Sequence, residues 1–115
     1  MKKEFNSIQG SIGEFNAIKY LENKKYKILE KNYKNKLGEI DIIASFKNAI
    51  VFIEVKRRIT LAFGRPGEAV GVYKQQKIRK IASLYLIKNK LTNSPCRFDV
   101  IEVLDNEINH IENAF

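Results

Sequence analysis

Apolar and polar positions alternate with two periods along the chain, and the switches between them mark the elements. From about Ser11 to Lys24, Ala17, Ile18 and Leu21 recur at helical spacing behind Glu14, which predicts a helix whose apolar stripe opens on a carboxylate. Residues 1–9 read as a loose lead-in. Tyr26 to Tyr33 alternates as a strand does, and Lys34 to Gly38 is a turn. Gly38–Ile43 and Val51–Lys56 then predict a hairpin with Lys47-Asn48 as its tip, completing an antiparallel meander. Arg57 to Glu68 carries Gly64, Pro66 and Gly67 and no sustained period, so it reads as a long loop. A second helix follows from Ala69 or Val72 to Lys88, with Ile78, Ile81, Ala82 and Tyr85 as its stripe and Lys74 one turn before it. Arg97 to Leu104 is a strand with Phe98, Val100 and Glu102 on one face and Asp99, Ile101 and Val103 on the other. Ile108 to Phe115 predicts a short final strand. This order implies one α/β domain, a mixed sheet covered by helices. The continuous apolar runs of the hairpin suit a sheet buried on both faces.

Charges inside that hairpin are the anomaly. Residues two apart share a strand face, so Glu39 and Asp41 point one way and Ile40 and Ile42 the other. On the second strand Phe52, Glu54 and Lys56 share a face opposite Val51, Ile53 and Val55. A tip at Lys47-Asn48 sets Asp41 across from Glu54 and Glu39 across from Lys56. Like charges at that separation are destabilising unless they share a proton or a cation.

Composition narrows the classes. The 115 residues suffice for one core, and no stretch approaches the roughly 20 apolar residues of a membrane span. Met1-Lys2-Lys3 is not followed by an apolar run, which argues against a secretory signal. The single Cys96 excludes an internal disulfide and suits a reducing cytoplasm. One Cys and one His make a structural zinc site a poor fit, and His110 reads as a surface side chain. The net charge of +8 is segregated: no acid falls between Glu68 and Asp99, where Lys74, Lys77, Arg79, Lys80, Lys88, Lys90 and Arg97 lie. A directed positive field of this kind favours a polyanionic partner such as DNA over a merely basic surface.

These features converge on phosphodiester chemistry. Asp41 and Glu54 with the Val55 carbonyl form an oxygen donor set for Mg²⁺ or Mn²⁺, with Glu14 reaching it through water. Lys56, on the face of Glu54, would stabilise negative charge or help deprotonate a nucleophile. Arg57, Arg58 and Arg65 in the loop, and Lys74, Lys77 and Lys80 on the second helix, are candidates for phosphate contacts. The competing explanations are ordinary ones. Glu14 is also what the dipole of a first helical turn favours, and the hairpin charges also suit a salt-bridged quartet with Glu39 on Lys56.

Asp41 followed by Glu54-Val55-Lys56, on a hairpin flanked by helices, resembles the PD-(D/E)XK nuclease superfamily. More narrowly, the chain resembles the YraN-type family of small bacterial proteins. The likeness runs through Gly13-Glu14 with Ala17, Gly38-Glu39-Ile40-Asp41-Ile42-Ile43-Ala44, Val51–Lys56 with Arg58, Phe63-Gly64, Pro66, Glu68-Ala69-Val70, Lys74, Lys77-Ile78 and Arg97–Ile101. The resemblance implies a restriction-endonuclease-like core related to archaeal Holliday-junction resolvases. In it Glu14, Asp41 and Glu54 are metal-site acids and Lys56 is the catalytic lysine. Ile40 stands where the superfamily's proline would be. The expectation is a Mg²⁺- or Mn²⁺-dependent endonuclease acting on DNA, branched or single-stranded forms included, with a homodimer suggested by analogy. The alternatives are a catalytically silent DNA-binding module of the same fold and a protein–protein adaptor.

Overall fold

The apolar runs of the hairpin need cover on both sides, and two helices supply it. A computed structural model describes residues 2–57, 70–104 and 107–115, with side chains from Ile12 onward. The elements are α1 (Lys2–Asn23), β1 (Lys27–Asn35), β2 (Gly38–Phe46), β3 (Ala49–Arg57), α2 (Val72–Lys88), β4 (Cys96–Leu104) and β5 (Glu107–Ile111). One five-stranded sheet runs in the order β1-β2-β3-β4-β5. β3 and β4 are parallel, joined through α2, and every other neighbouring pair is antiparallel. Ala17 and Leu21 of α1 pack on Ile42, Val51, Ile53 and Ile101. Ile78, Ile81 and Tyr85 of α2 pack on Ile43, Phe52 and Val100 across the sheet.

Most of the predicted elements are present, with differences at particular residues. Residues 2–9 are helical and not a loose lead-in, so α1 begins near the start of the chain. Gly10 and Gly13 suggest a break, but an interior glycine costs a helix only about 1 kcal/mol. The final strand is shorter than predicted, ending at Ile111. The predicted loop from Arg57 to Glu68 falls, after Arg57, outside the described residues. Lys47 and Asn48 both take positive φ, 48° and 68°, the conformation of a tight two-residue hairpin turn.

The hairpin register is the predicted one from Phe46–Ala49 to Ile42–Ile53, and there the ladder ends. Beyond that point β2 stays with β1 down to Gly38, while β3 stays with β4 out to Arg57–Val103. The sheet therefore forks. Glu39 does not pair with Lys56; it lies on the β1 side of the fork, 4.0 Å from Lys34. The strict alternation expected of β2 also fails here. Ile40 joins the α2-side core and Ile42 the α1-side core, so the two do not share a face. Asn32, between the paired Lys31 and Tyr33 and opposite Asp41, has φ 50°. Both strands are thus distorted at the level of Asp41.

Gly38 opens β2 with φ +146°, a conformation L side chains rarely adopt. A Cβ there would meet Lys77 Cε at 3.0 Å and Ile81 Cδ1 at 3.4 Å. Gly38→Ala is expected to destabilise the fold by on the order of 1–3 kcal/mol in urea denaturation. An unchanged midpoint and slope would show that neither the backbone angle nor the approach of α2 matters.

Candidate active site

At the fork, the N–H of Val55 is met by a side chain in place of a strand carbonyl. It donates to Asp41 Oδ2 at 2.8 Å. That bond holds the Asp41 carboxylate toward β3 and within electrostatic reach of Glu54. Glu54 is buried, and its Oε1 lies 2.5 Å from Lys74 Nζ of α2 and 3.8 Å from Lys56 Nζ. Gly13 sits where a Cβ would touch Arg57 and Val55, which brings α1, and Glu14 with it, to this end of β3.

The protonation balance follows from that crowding. Burial first, and then the charge of Glu54, push Asp41 up from its ordinary 3.8 to about 7; Glu14 and Glu39 add to the rise and the Val55 N–H opposes it. Burial and the neighbouring Lys74 ammonium lower Lys56, against the pull of Glu54. Burial also works against the charge of Lys74, but its hydrogen bond and attraction to Glu54 outweigh that and raise it. The site holds one lysine biased toward giving up its proton and one biased toward keeping it.

Of the predicted residues, Asp41, Glu54, Lys56 and Lys74 come together. Glu14 acts on Asp41 electrostatically from α1 but forms no tight three-ligand group with Asp41 and Glu54. Lys77 borders a groove with Lys74, Gly38 and Glu39, while Lys80 is exposed on α2 and is not part of its lining. Arg57 is exposed at the end of β3, with its Cβ toward Gly13 of α1. Arg58 and Arg65 lie outside the described residues. The donor chemistry suits a hard divalent cation: carboxylate oxygens, a nearby backbone carbonyl at Val55, and an Asp41 ionised only against the charge of its neighbours. Such a cation would offset the burial and the like charges that raise Asp41.

His110 is not a surface side chain. It is 6% exposed, with Nε2 2.7 Å from Asp99 Oδ2 and Nδ1 3.1 Å from Tyr20 Oη. Burial would raise Asp99, but hydrogen bonds from His110, Arg97 and the Asn113 N–H hold it below its ordinary value. With Asp99 ionised, Nε2–H donates to it, and Nδ1 is held in a hydrogen bond with Tyr20 Oη. Among the described residues, Asp99, His110 and Glu112 form the one three-donor group whose ligand atoms lie within 4.8 Å of one another. The Arg97 guanidinium already bridges Asp99 at 3.0 Å and Glu112 at 2.9 Å, so a cation stands where a metal would. The cluster is a satisfied structural network. The sequence signal for it was the burial of Asp99 implied by its place beside Ile101 and Val103.

A model described as Uncharacterised protein family UPF0102 matches residues 13–103. The chain belongs to the UPF0102 family. A UPF0102 protein of Clostridioides difficile is 54% identical over 112 residues, covering 96% of this chain and 98% of that one. UPF0102 proteins of Caldanaerobacter subterraneus (52%, covering 100% of both chains) and Thermodesulfovibrio yellowstonii (55%, covering 92% and 94%) are similar along nearly their whole lengths. The UPF0102 span contains Glu14, Asp41, Glu54, Lys56 and Lys74, and it ends before His110. No described helix of this UPF0102 protein is long and apolar enough to cross a membrane.

Asp41 binds its proton more tightly in the folded chain than in the unfolded one. The folded state therefore carries the extra proton between about pH 4 and pH 7, and stability falls as pH rises through that window. Asp41→Asn keeps an oxygen for Val55 and removes the charge. It is expected to match the wild type near pH 4 and to exceed it above pH 7, by at most about 4 kcal/mol in metal-free denaturation. A difference that does not depend on pH would contradict the assignment.

Proposed function

We propose that this UPF0102 protein is a divalent-metal-dependent endonuclease that hydrolyses DNA phosphodiester bonds at the fork of its sheet. The observation that carries the reading is the juxtaposition of the Asp41 and Glu54 carboxylates beside two lysines of opposite protonation bias. It agrees with the resemblance of Asp41, Glu54 and Lys56 to the PD-(D/E)XK arrangement. Asp41 and Glu54, with the Val55 carbonyl, would hold Mg²⁺ or Mn²⁺, and Glu14 would act through water. When bound, the ion polarises a phosphodiester oxygen and offsets charge that builds in the transition state.

The chain's own residues supply the rest. The Val55 N–H fixes one oxygen of Asp41 and so sets the direction of the other. Lys56, its pKa lowered by burial and by Lys74, is suited to take a proton from an attacking water or to place its charge on the phosphorane. Lys74 stays cationic and offers its ammonium to a phosphate oxygen once the substrate competes for it. A second reading has its own support. The Lys74–Glu54 contact at 2.5 Å places an ammonium against a proposed metal ligand, which favours a DNA-binding module without turnover if that contact does not yield.

Cleavage of plasmid, single-stranded and four-way-junction DNA with Mg²⁺ or Mn²⁺ separates the two. The wild type is expected to cut, and Asp41→Ala and Glu54→Ala to lose at least about 100-fold in rate while still binding. Salt-sensitive binding with no cutting of any substrate leaves the second reading; cutting that survives either substitution rejects the site.

The groove lysine is tested separately. Lys77→Ala should weaken binding and lower the slope of log affinity against log salt by about one, the value of one phosphate contact. An unchanged slope places α2 outside the interface.

A further inference from the structure

Tyr73 is the second residue of α2 and is 80% exposed. It directly precedes Lys74, whose ammonium contacts Glu54. The buried stripe of α2 begins at Ile78, so helix packing does not explain an aromatic at this position. Tyr73, Lys74 and Lys77 border an open groove of about 430 Å³, faced from β2 by Gly38 and Glu39 and floored by Ile78. The groove and the candidate active site share Lys74, which lines the one and contacts Glu54 in the other, so the two adjoin.

Five properties specify an occupant. The ring of Tyr73 offers a flat apolar face in water. Lys74 and Lys77 lie one helical turn apart, and α2 contains no acid to compete with an anion there. The volume is at the small end of the range for single small ligands, about 300–1,000 Å³, which suits one nucleotide and not a base pair. Glu39 repels phosphate from the strand side, so a backbone lying here is directed toward the lysines. Bare Gly38 keeps the groove open beside Lys77, since a Cβ would press on that side chain at 3.0 Å.

We propose that this groove holds one unpaired nucleotide of a DNA strand, its base stacked on Tyr73 and its phosphate against Lys77 and Lys74. A strand bound at the fork is then single-stranded or splayed at that nucleotide. Base stacking tolerates any sequence, because every base has a π-face, so the groove selects for unpairing and not for base identity. The link to cleavage rests on the nuclease reading of the neighbouring site, whereas binding in the groove does not.

The test uses the full chain and oligonucleotides carrying 2-aminopurine at an unpaired position, in Ca²⁺ so that strands remain intact. Wild type and Tyr73→Phe are expected to quench the 2-aminopurine and to bind single-stranded or splayed DNA more tightly than a blunt duplex. Tyr73→Ala should abolish the quench and weaken binding to the unpaired strand by about 5- to 150-fold, the loss of one stacked base, with duplex affinity unchanged. Ile87→Ala, at an exposed apolar residue elsewhere on α2, should behave as wild type. Quenching that survives Tyr73→Ala, an equal loss on duplex and unpaired DNA, or no nucleic-acid binding at all overturns the proposal. Metal-dependent cutting with Tyr73→Ala indistinguishable from wild type in binding removes the nucleotide groove and keeps the nuclease. Tyr73-dependent quenching without cutting on any DNA keeps the groove and removes the nuclease.

Discussion

The hydrogen bond from the Val55 N–H to Asp41 closes the gap that the fork would otherwise leave open. Where β2 turns away to follow β1, and β3 continues with β4, a backbone donor on an interior strand loses its place in the ladder. Leaving such a group unpaired costs about 1–3 kcal/mol. A carboxylate from the departing strand satisfies it, and that brings the carboxylate to Glu54. The stability of the fork and the charge conflict of the site are one feature seen from two sides.

Two acidic clusters on this sheet meet opposite fates. Asp99 is fully buried and surrounded by donors from Arg97, His110 and Asn113, so its charge is welcome. Asp41 is buried with one backbone donor beside Glu54, Glu14 and Glu39, and burial and these carboxylates together oppose its charge. Structural polar networks are satisfied within the chain, and functional ones keep a deficit that a ligand fills. By that criterion the fork is the proposed site and the Asp99 cluster is scaffold, although the latter has the closer grouping of potential ligands.

Much of this was legible in the residues. Helical spacing identified the α2 stripe down to Ala82 and Tyr85, and the tip at Lys47-Asn48 set the hairpin register. Glu54, Lys56 and Lys74 followed from strand parity and one further helical turn. Parity failed at Ile40 because the strand distorts at Asp41, and local pattern rules assume a regular pleat. Glu39 was misplaced for the same reason, since no residue in the hairpin announces where two strands separate. Nothing local marks His110 as buried, because Tyr20 reaches it from α1 at the other end of the chain and Asp99 reaches it only through the pairing of β4 with β5. Nothing in the sequence sets Tyr73 apart, because exposure of one aromatic on a helix depends on what packs beside it.

The opposed charge at Asp41 and Glu54 is proposed to mark a divalent-cation site. The direct measurement is calorimetric titration of Mn²⁺ into the metal-free protein near pH 6.5, in buffers of different ionisation enthalpy, with Glu54→Gln alongside. Binding is expected to release close to the fraction of a proton still held by Asp41, with less release at pH 8 and a marked loss of affinity in Glu54→Gln. Mn²⁺ that fails to bind, or binds without proton release and regardless of Glu54→Gln, would contradict it.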